Sequence, residues 1–397
     1  MKEGIGNGSS AARSVHGIEV PPGLKGVIVA ETAIGDVRGA EGFYHYRQYS
    51  AIELAKTRGL EDVWHLLYEG RLPSVPERAR FVAEIAPLRV LSPLVRELLP
   101  RLVATGAAFA PLEALRTALS FACSDRGLRS VYDLTPSERR ADALFVCAQV
   151  PTLVAALWRH HIGERPLEPD PSLGYAADYL RMLSGAMPSA EHARAIEQYL
   201  ISTIDHGFNA STFTARVITA TGADVGASVV GAIGAFSGPL HGGSPARALE
   251  TLDAIGSSDR IDAWVRPRLE AGERMMGFGH AVYRTEDPRA AMLRAIAERL
   301  GGDKVAFAKH VEERVLEILA EVKPGRELHT NVEFYAGVVM DICGIPRSIF
   351  TPTFAASRVI GWTANVLEQA AEGSLIRPSA RYVGPPAPQP VPRIAAA

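Results

Sequence analysis

Hydrophobic residues recur every three or four positions over most of the chain, and this spacing predicts helices. The pattern is clearest in four stretches separated by Pro and Gly: SAIELAKTRGLEDVWHLLYEG, SPLVRELLPRLVATG, RADALFVCAQVPTLVAALWRHHIG and KHVEERVLEILAEV. The first stops at Gly70, a residue type that favours the C-terminus of a helix. Only short segments near GVIVAETAIGDV and GFYHYRQ have the character of strands. The pattern therefore predicts an all-α fold.

One predicted helix is apolar on almost every side. The run TGADVGASVVGAIGAFSGPL, residues 221–240, is nearly free of charge, and its small residues let neighbouring helices come close. We therefore expect a fully buried helix. His241 follows this run and precedes Gly242 and Gly243, where the backbone can approach a ligand closely. Such a histidine is either a hydrogen-bonded core residue or a functional group, and the run alone leaves both open.

Composition narrows the class of protein. The chain has 397 residues, of which 47% are hydrophobic and 22% charged, and these values are typical of a globular protein. A net charge of -2 gives no general attraction to nucleic acid or to an anionic membrane. The three cysteines are widely spaced and the histidines lack metal-binding spacing, so we expect no disulfide and no metal. With no secretory leader and no run of eighteen apolar residues, we expect no membrane helix and a cytoplasmic location.

Several polar residues occur where packing alone does not require them. In MMGFGHAVYRTEDPRA, His280 lies among glycines and is followed by Arg284 and Arg289. Guanidinium groups match the geometry of carboxylates and phosphates, so this stretch indicates either a site that holds an anionic substrate or a salt-bridged start of a helix. Glu333 has apolar neighbours in HTNVEFYAGVV, and desolvation there would raise the pKa of its carboxyl, as a general base requires. An exposed carboxylate at the start of a helix is the alternative.

Taken together, these motifs resemble those of the citrate synthase family. The segments DHGFNASTF, SGPLHGG, GFGHAVYRTEDPRA, NVEFYAG and RPSARYVGP occur in the order and approximate spacing of that family. The resemblance runs from GLKGVIVAETAIGDV to Arg377 and is weakest between about residues 75 and 200. The family joins acetyl-CoA to oxaloacetate. The resemblance therefore implies an acyltransferase with a CoA thioester as co-substrate and no permanently bound cofactor.

The resemblance also implies a role for each site residue. Glu333 would take a proton from the acyl methyl group, His241 would donate a hydrogen bond to the thioester oxygen, and His280 would polarise the keto oxygen. Four residues would hold oxaloacetate: His206, Arg289, Arg358 and Arg377. Arg284 would lie near the phosphates of CoA. Four further residues would lie along its adenine: Met276, Gly277, Phe278 and Gly279.

The resemblance further implies two helical domains in each subunit of a homodimer. The expected divisions are a flexible lead-in at 1–22, a large domain at 23–242 and 346–383, a small domain at 243–345 and a Pro-rich tail at 384–397. Substrates would bind between the domains, whose closure would exclude water. In the family, the arginine that matches Arg377 reaches the site of the partner, so the active sites would be completed across the interface.

Position 333 departs from the family pattern, which usually has Asp in NVDFYSG. Glu is one methylene longer, and a misplacement of about 1 Å can reduce a rate roughly a hundredfold. Either the backbone has moved to compensate, which is the interpretation we favour, or the activity is slow, altered or absent.

Three hypotheses follow from the motifs. The first is a citrate synthase, and the second is a 2-methylcitrate synthase that uses propionyl-CoA with the same residues. One methylene in an apolar pocket discriminates by only about 1–3 kcal/mol, so the motifs do not separate these two. The third is a non-catalytic relative that binds CoA or a dicarboxylate.

Overall fold

Helices dominate the part of the chain that the computed structural model describes, and the predicted all-α fold is confirmed. That part comprises residues 18–104, 109–239, 241–242, 244–273, 275–279, 282–325 and 328–392. Thr32–Leu375 forms one compact unit. The described residues of Met1–Glu31 and Ile376–Ala397 form a second unit, in which Arg381 and Glu19 make an ion pair. The predicted division into large and small domains at 243 and 345 stays a prediction.

The helices and strands of the larger unit have the following bounds. The α-helices are α1 Ala51–Thr57, α2 Leu60–Glu69, α3 Val75–Ile85, α4 Pro93–Ala104, α5 Pro111–Arg126, α6 Pro136–His161, α7 Tyr175–Ser184, α8 Ala190–Thr203, α9 Ala210–Thr219, α10 Val225–Phe236, α11 Ser244–Ile255, α12 Ile261–Glu270, α13 Pro288–Leu300, α14 Asp303–Val322, α15 Val332–Ile342 and α16 Phe350–Glu372. The antiparallel sheet has the order β1 Gly35–Arg38, β2 Phe43–Tyr46 and β3 Tyr49–Ser50.

All four stretches with helical spacing are helical, and local signals set their ends. α2 ends at Gly70, whose φ of 74° is the left-handed conformation that glycine adopts at little cost. α6 begins with Pro136 after a capping box, in which the carboxylate of Glu138 accepts the backbone N–H of Thr135 at 2.8 Å. The spacing of hydrophobic residues and the residues at the helix ends indicate the same elements, and for this reason the sequence predicts these helices.

α6 is a core helix that packs against α4, α5, α7 and α16. Among the described helices it is the one long and apolar enough, by length and composition, to span a membrane. A buried core helix can have this length and composition, so α6 does not contradict the expectation that the chain has no membrane helix. Within this structure 83% of its most apolar window is buried by neighbouring helices.

α10 corrects the expectation of a fully buried helix, because only one of its faces is buried. Val229, Ile233 and Phe236 face the core, whereas Ala227 is exposed and Val230 is half-buried. α5, α9 and α16 cover the inner face. The sequence predicted full burial because apolar residues surround the helix. Within the described residues, however, packing partners lie on one side only.

α16 brings the site region together, since it packs against α6, α8, α9 and α10. Its backbone comes unusually close to the end of α8 at Gly361. A Cβ on Gly361 would lie 2.1 Å from the carbonyl oxygen of Ile204 and 3.2 Å from Cβ of Asp205. Glycine at 361 is therefore required for the close contact of α16 with the segment that carries His206.

We expect Gly361→Ala to lower the free energy of unfolding by about 1–3 kcal/mol, because the methyl group overpacks this contact. The matched control is Gly234→Ala on α10, where the added Cβ would meet only Nη1 of Arg116 at 3.7 Å. That control should be neutral or stabilising by up to about 1 kcal/mol. Urea unfolding of both variants measures the difference. Equal stability of the two variants would contradict the packing argument.

Candidate active site

The sequence-predicted residues of the larger unit lie at helix ends and on one buried helix. His206 lies between α8 and α9, and His241 follows α10. Arg289 and Glu333 lie in the first turns of α13 and α15, and Arg358 lies in the first half of α16. Because these elements pack on α8 or α16, side chains that are distant in the sequence lie close together.

Three charged side chains lie near the buried phenol of Tyr199. Burial raises its pKa above the usual value, and the charges of Arg358, Arg289 and Glu333 all lie near enough to influence it. Arg358 is buried and donates from Nε to the carbonyl oxygen of Thr203 at 2.8 Å. Its burial lowers the pKa of its guanidinium from the usual value. Two arginines and a carboxylate thus lie around one buried tyrosine.

Asp287 accepts hydrogen bonds from both the backbone N–H and the guanidinium of Arg289. Nε of Arg289 donates to Oδ1 at 3.0 Å, and Nη2 donates to Oδ2 at 2.8 Å. Burial alone would lower the pKa of Arg289, but the negative charge of Asp287 outweighs it and raises that pKa. Oδ2 of Asp287 also accepts the backbone N–H of Val332 at 3.1 Å. One carboxylate therefore joins Arg289 to the N-terminus of the helix that carries Glu333.

His206 and Arg289 contact the same pair of tyrosines. Nε2 of His206 and the hydroxyl of Tyr283 share a hydrogen bond of 2.9 Å, and the ring of Tyr44 lies 5.5 Å from the His206 ring. The guanidinium of Arg289 lies 5.9 Å from the ring centroid of Tyr44 and 5.7 Å from that of Tyr283. The cation–π contacts of Arg289 and the hydrogen bond of His206 therefore hold these two side chains beside Tyr44 and Tyr283.

His241 is held from one side by a chain of hydrogen bonds. Its Nε2 and Oγ of Ser211 share a hydrogen bond of 2.8 Å, and Oγ also accepts Nε1–H of Trp362 at 3.0 Å. Oδ1 of Asn209 lies 2.7 Å from the same Oγ. The Ser211 hydroxyl carries one proton, which it gives either to Asn209 or to His241. Burial, with the nearby charge of Arg358, lowers the pKa of His241 to about 4, so the imidazole is neutral at pH 7.

The segment 275–279 pairs with the segment that leads into α15. The N–H of Gly279 donates to the carbonyl of His329 at 2.8 Å, and the N–H of Asn331 donates to the carbonyl of Gly277 at 2.9 Å. The Asn331 side chain donates to the carbonyl of Gly279 at 2.9 Å and accepts the N–H of Glu333 at 3.0 Å. These bonds fix the start of α15 against the glycine-rich segment.

A cavity of about 280 Å³ opens beside this pairing. Its walls include residues 275–278, Lys323 and half-buried Glu333. Gly277 has a φ of 89°, and a Cβ there would lie 3.0 Å from the ring of Phe334. Glycine is thus needed for the segment to pass this close to α15. The structure therefore brings Glu333 and three of the predicted CoA contacts, Met276, Gly277 and Phe278, to the same cavity.

Three other predicted residues remain: Arg284, Arg377 and His280. Arg284 is exposed, and it lines a separate cavity of about 100 Å³ together with Gly279. Arg377 lies in the smaller unit, beyond the end of α16. His280 lies outside the described residues.

Sequence reasoning missed the buried support of this region. The carboxylate of Glu312 accepts hydrogen bonds from Arg294 at 2.5 and 3.0 Å, from Thr330 at 2.5 Å and from Tyr335 at 2.5 Å. It thereby links α13, α14 and α15. Glu312 is one of several charged residues of an amphipathic helix, and nothing in that pattern marks it. Ser211 carried a weak signal, since it lies two residues after Asn209 in the motif DHGFNASTF.

The chain matches the family model described as citrate synthase, C-terminal domain, over residues 23–379. It is 39% identical over 367 residues to a putative citrate synthase 2 of Mycobacterium tuberculosis, with 92% of this chain and 93% of the relative covered. It is 35% identical over 366 residues to the 2-methylcitrate synthase of the same species, with 92% and 91% covered.

Solved structures agree with this similarity. Citrate synthase from Thermotoga maritima superposes with a TM-score of 0.81 at 31% identity, covering 94% of this chain and 98% of that chain. A ternary complex of citrate synthase from Thermoplasma acidophilum with carboxymethyl coenzyme A and oxaloacetate superposes with a TM-score of 0.86 at 27% identity and the same coverage.

The lowered pKa of His241 predicts a loss of stability in acid. Protonation favours the unfolded chain, where the pKa of histidine is near 6.5, over the folded state, where it is about 4. The stability that the neutral His241 contributes to the folded state is complete above pH 6.5 and is lost as the pH falls from 6.5 to 4. The free energy of unfolding should therefore fall more steeply over this interval in the natural protein than in His241→Gln.

Chemical unfolding at pH 7 and pH 4.5 measures this difference. The control is His310→Gln, at an exposed position on α14, and it should keep the pH dependence of the natural protein. If the free energy of unfolding of His241→Gln and of the natural protein depended on pH in the same way, the lowered pKa of His241 would be contradicted.

Proposed function

The chain belongs to the citrate synthase family and is an acyltransferase, and on this premise we propose that it condenses acetyl-CoA with oxaloacetate to give citrate and CoA. One observation carries the proposal: Glu333 and the segment 275–278 line the same cavity. A base for the acyl methyl group must lie within the site that binds CoA. The similar enzyme of Thermoplasma acidophilum, in complex with carboxymethyl coenzyme A and oxaloacetate, supports this choice of substrates.

The first step is enolisation of the thioester. Glu333 takes a proton from the acyl methyl group while His241 donates a hydrogen bond from Nδ1 to the thioester oxygen, where negative charge develops. A neutral imidazole donates from Nδ1 only when Nε2 accepts. In this state the Ser211 hydroxyl donates to Nε2 across the 2.8 Å contact. Trp362 donates its Nε1–H to the same oxygen, and the Ser211 hydroxyl turns its own proton from Oδ1 of Asn209 to Nε2 of His241 to make this bond.

The second step forms the carbon–carbon bond. The enolate carbon attacks the keto carbon of oxaloacetate, and His280 donates to the oxygen that becomes negatively charged. Water then cleaves the thioester to release CoA and citrate. Arg289, Arg358 and His206 hold the oxaloacetate carboxylates, and the burial of the two arginines strengthens their contacts because the surroundings are poor in water.

CoA and the partner subunit complete the site in this proposal. CoA binds with its adenine along Met276, Gly277, Phe278 and Gly279 and with its phosphates near Arg284. The protein acts as a homodimer in which Arg377 reaches the site of the partner. The uncovered apolar residues of α10, such as half-buried Val230, support association with a second copy.

The test is release of CoA from acetyl-CoA or propionyl-CoA in the presence of oxaloacetate. We expect higher kcat/KM with acetyl-CoA. We expect Glu333→Gln to lower kcat by about 10²–10⁴, because an amide cannot accept the methyl proton. The matched control, Glu313→Gln, changes an exposed carboxylate of α14 and should leave kcat unchanged.

The other outcomes separate the competing functions. Higher kcat/KM with propionyl-CoA would identify a 2-methylcitrate synthase, in line with the 35% identical relative of that name. Release from neither thioester would identify a non-catalytic relative, and activity gained in Glu333→Asp would show that the longer side chain is the cause. Full activity in Glu333→Gln would contradict the role of Glu333.

A further inference from the structure

The turn that joins β1 to β2 lies against the chain segment that leads into α13. The backbone N–H of Arg284 donates to the carbonyl of Gly39 at 3.0 Å. A Cβ on Gly39 would lie 2.3 Å from the carbonyl oxygen of Val282, and a Cβ on Gly42 would lie 2.7 Å from Oγ1 of Thr285. At Gly39 the contact is between two backbones, so that any side chain there would push the turn and the segment apart.

The strands of the same hairpin are anchored at the end of α8, close to His206. The hydroxyl of Tyr44 donates to the carbonyl of Ser202 at 2.9 Å, and the hydroxyl of Tyr46 donates to the carbonyl of Ile201 at 2.9 Å. Both tyrosine side chains are buried. The hairpin is therefore fixed to the helix that precedes His206, while its turn contacts the segment before α13.

The segment that the turn contacts carries Tyr283. Nε2 of His206 and the Tyr283 hydroxyl share a hydrogen bond of 2.9 Å, and the guanidinium of Arg289 lies 5.7 Å from the centroid of the Tyr283 ring. Burial raises the pKa of the Tyr283 hydroxyl, so that the phenol keeps its proton at pH 7. A shift of this segment would therefore move Tyr283 relative to His206 and Arg289, two of the residues proposed to hold oxaloacetate.

We propose that Gly39 is a positioning residue for oxaloacetate binding, because its close contact with Val282 holds the Tyr283 hydroxyl on His206. A Cβ at position 39 would force the turn and the segment apart by about 1 Å to reach an ordinary carbon–oxygen contact. A hydrogen bond of 2.9 Å that is lengthened by this amount is lost. This inference rests on the proposed function, which assigns oxaloacetate to His206 and Arg289.

The test measures the dissociation constant of oxaloacetate by isothermal titration calorimetry with the full chain. Gly39→Ala should weaken oxaloacetate binding about tenfold, and Tyr283→Phe, which removes only the hydroxyl, should do the same. The double variant should also lose about tenfold rather than about a hundredfold, because both substitutions remove the same hydrogen bond. A glycine that merely stabilised the fold would not give this non-additive result.

Two controls separate positioning from general effects of an added methyl or hydroxyl group. Ala40→Ser adds one atom at the neighbouring exposed position of the turn and should leave oxaloacetate binding unchanged. Gly231→Ala, on α10, adds a Cβ that would lie 2.1 Å from Cδ1 of Ile218. It should lower the melting temperature without changing oxaloacetate binding, which shows that reduced stability alone does not weaken binding.

The outcomes distinguish failure of this inference from failure of the proposed function. The inference is overturned if Gly39→Ala or Tyr283→Phe binds oxaloacetate as tightly as the natural protein, or if the double variant loses about a hundredfold. In that case, release of CoA by the natural protein would leave the proposed function standing. A natural protein that binds no oxaloacetate would overturn both.

Discussion

Asp287 is the residue on which the geometry of the candidate site depends. Its carboxylate keeps Arg289 charged and oriented inside the protein, where an isolated guanidinium would carry a desolvation cost of several kcal/mol. The same carboxylate accepts the backbone N–H of Val332 at the start of α15. The group that would bind a substrate carboxylate and the helix that carries Glu333 are therefore held by one side chain. Movement of either one would disturb the hydrogen bonds of the other.

Further buried bonds make this arrangement rigid. Glu312 links α13 and α14 to Tyr335, two residues after Glu333, while Asn331 accepts the N–H of Glu333 itself. These bonds fix the backbone at position 333, and they thereby fix the point from which the glutamate side chain, one methylene longer than aspartate, extends. On the other side of the site, Ser211 fixes the ring of His241 and, in the proposed mechanism, selects its tautomer.

Much of this could be predicted from the sequence, and the failures have identifiable causes. Helices such as α2 were predictable because periodicity and Gly70 agree. Motif order indicated His206, Arg289 and Glu333, but nothing local shows that Tyr44 and Tyr283 join the first two. α10 was expected to be buried all round because a sequence does not reveal which apolar surfaces another element covers.

The central claim, that Glu333 is a base positioned by the Asp287 network, is tested most directly by enolisation alone. Malate replaces oxaloacetate, so that the site is filled by a dicarboxylate without a keto carbon to attack. Incorporation of deuterium from D₂O into the methyl group of acetyl-CoA then reports proton removal without condensation. We predict exchange in the natural protein, its loss in Glu333→Gln and a marked reduction in Asp287→Asn. Exchange that persists unchanged in Glu333→Gln would contradict the account.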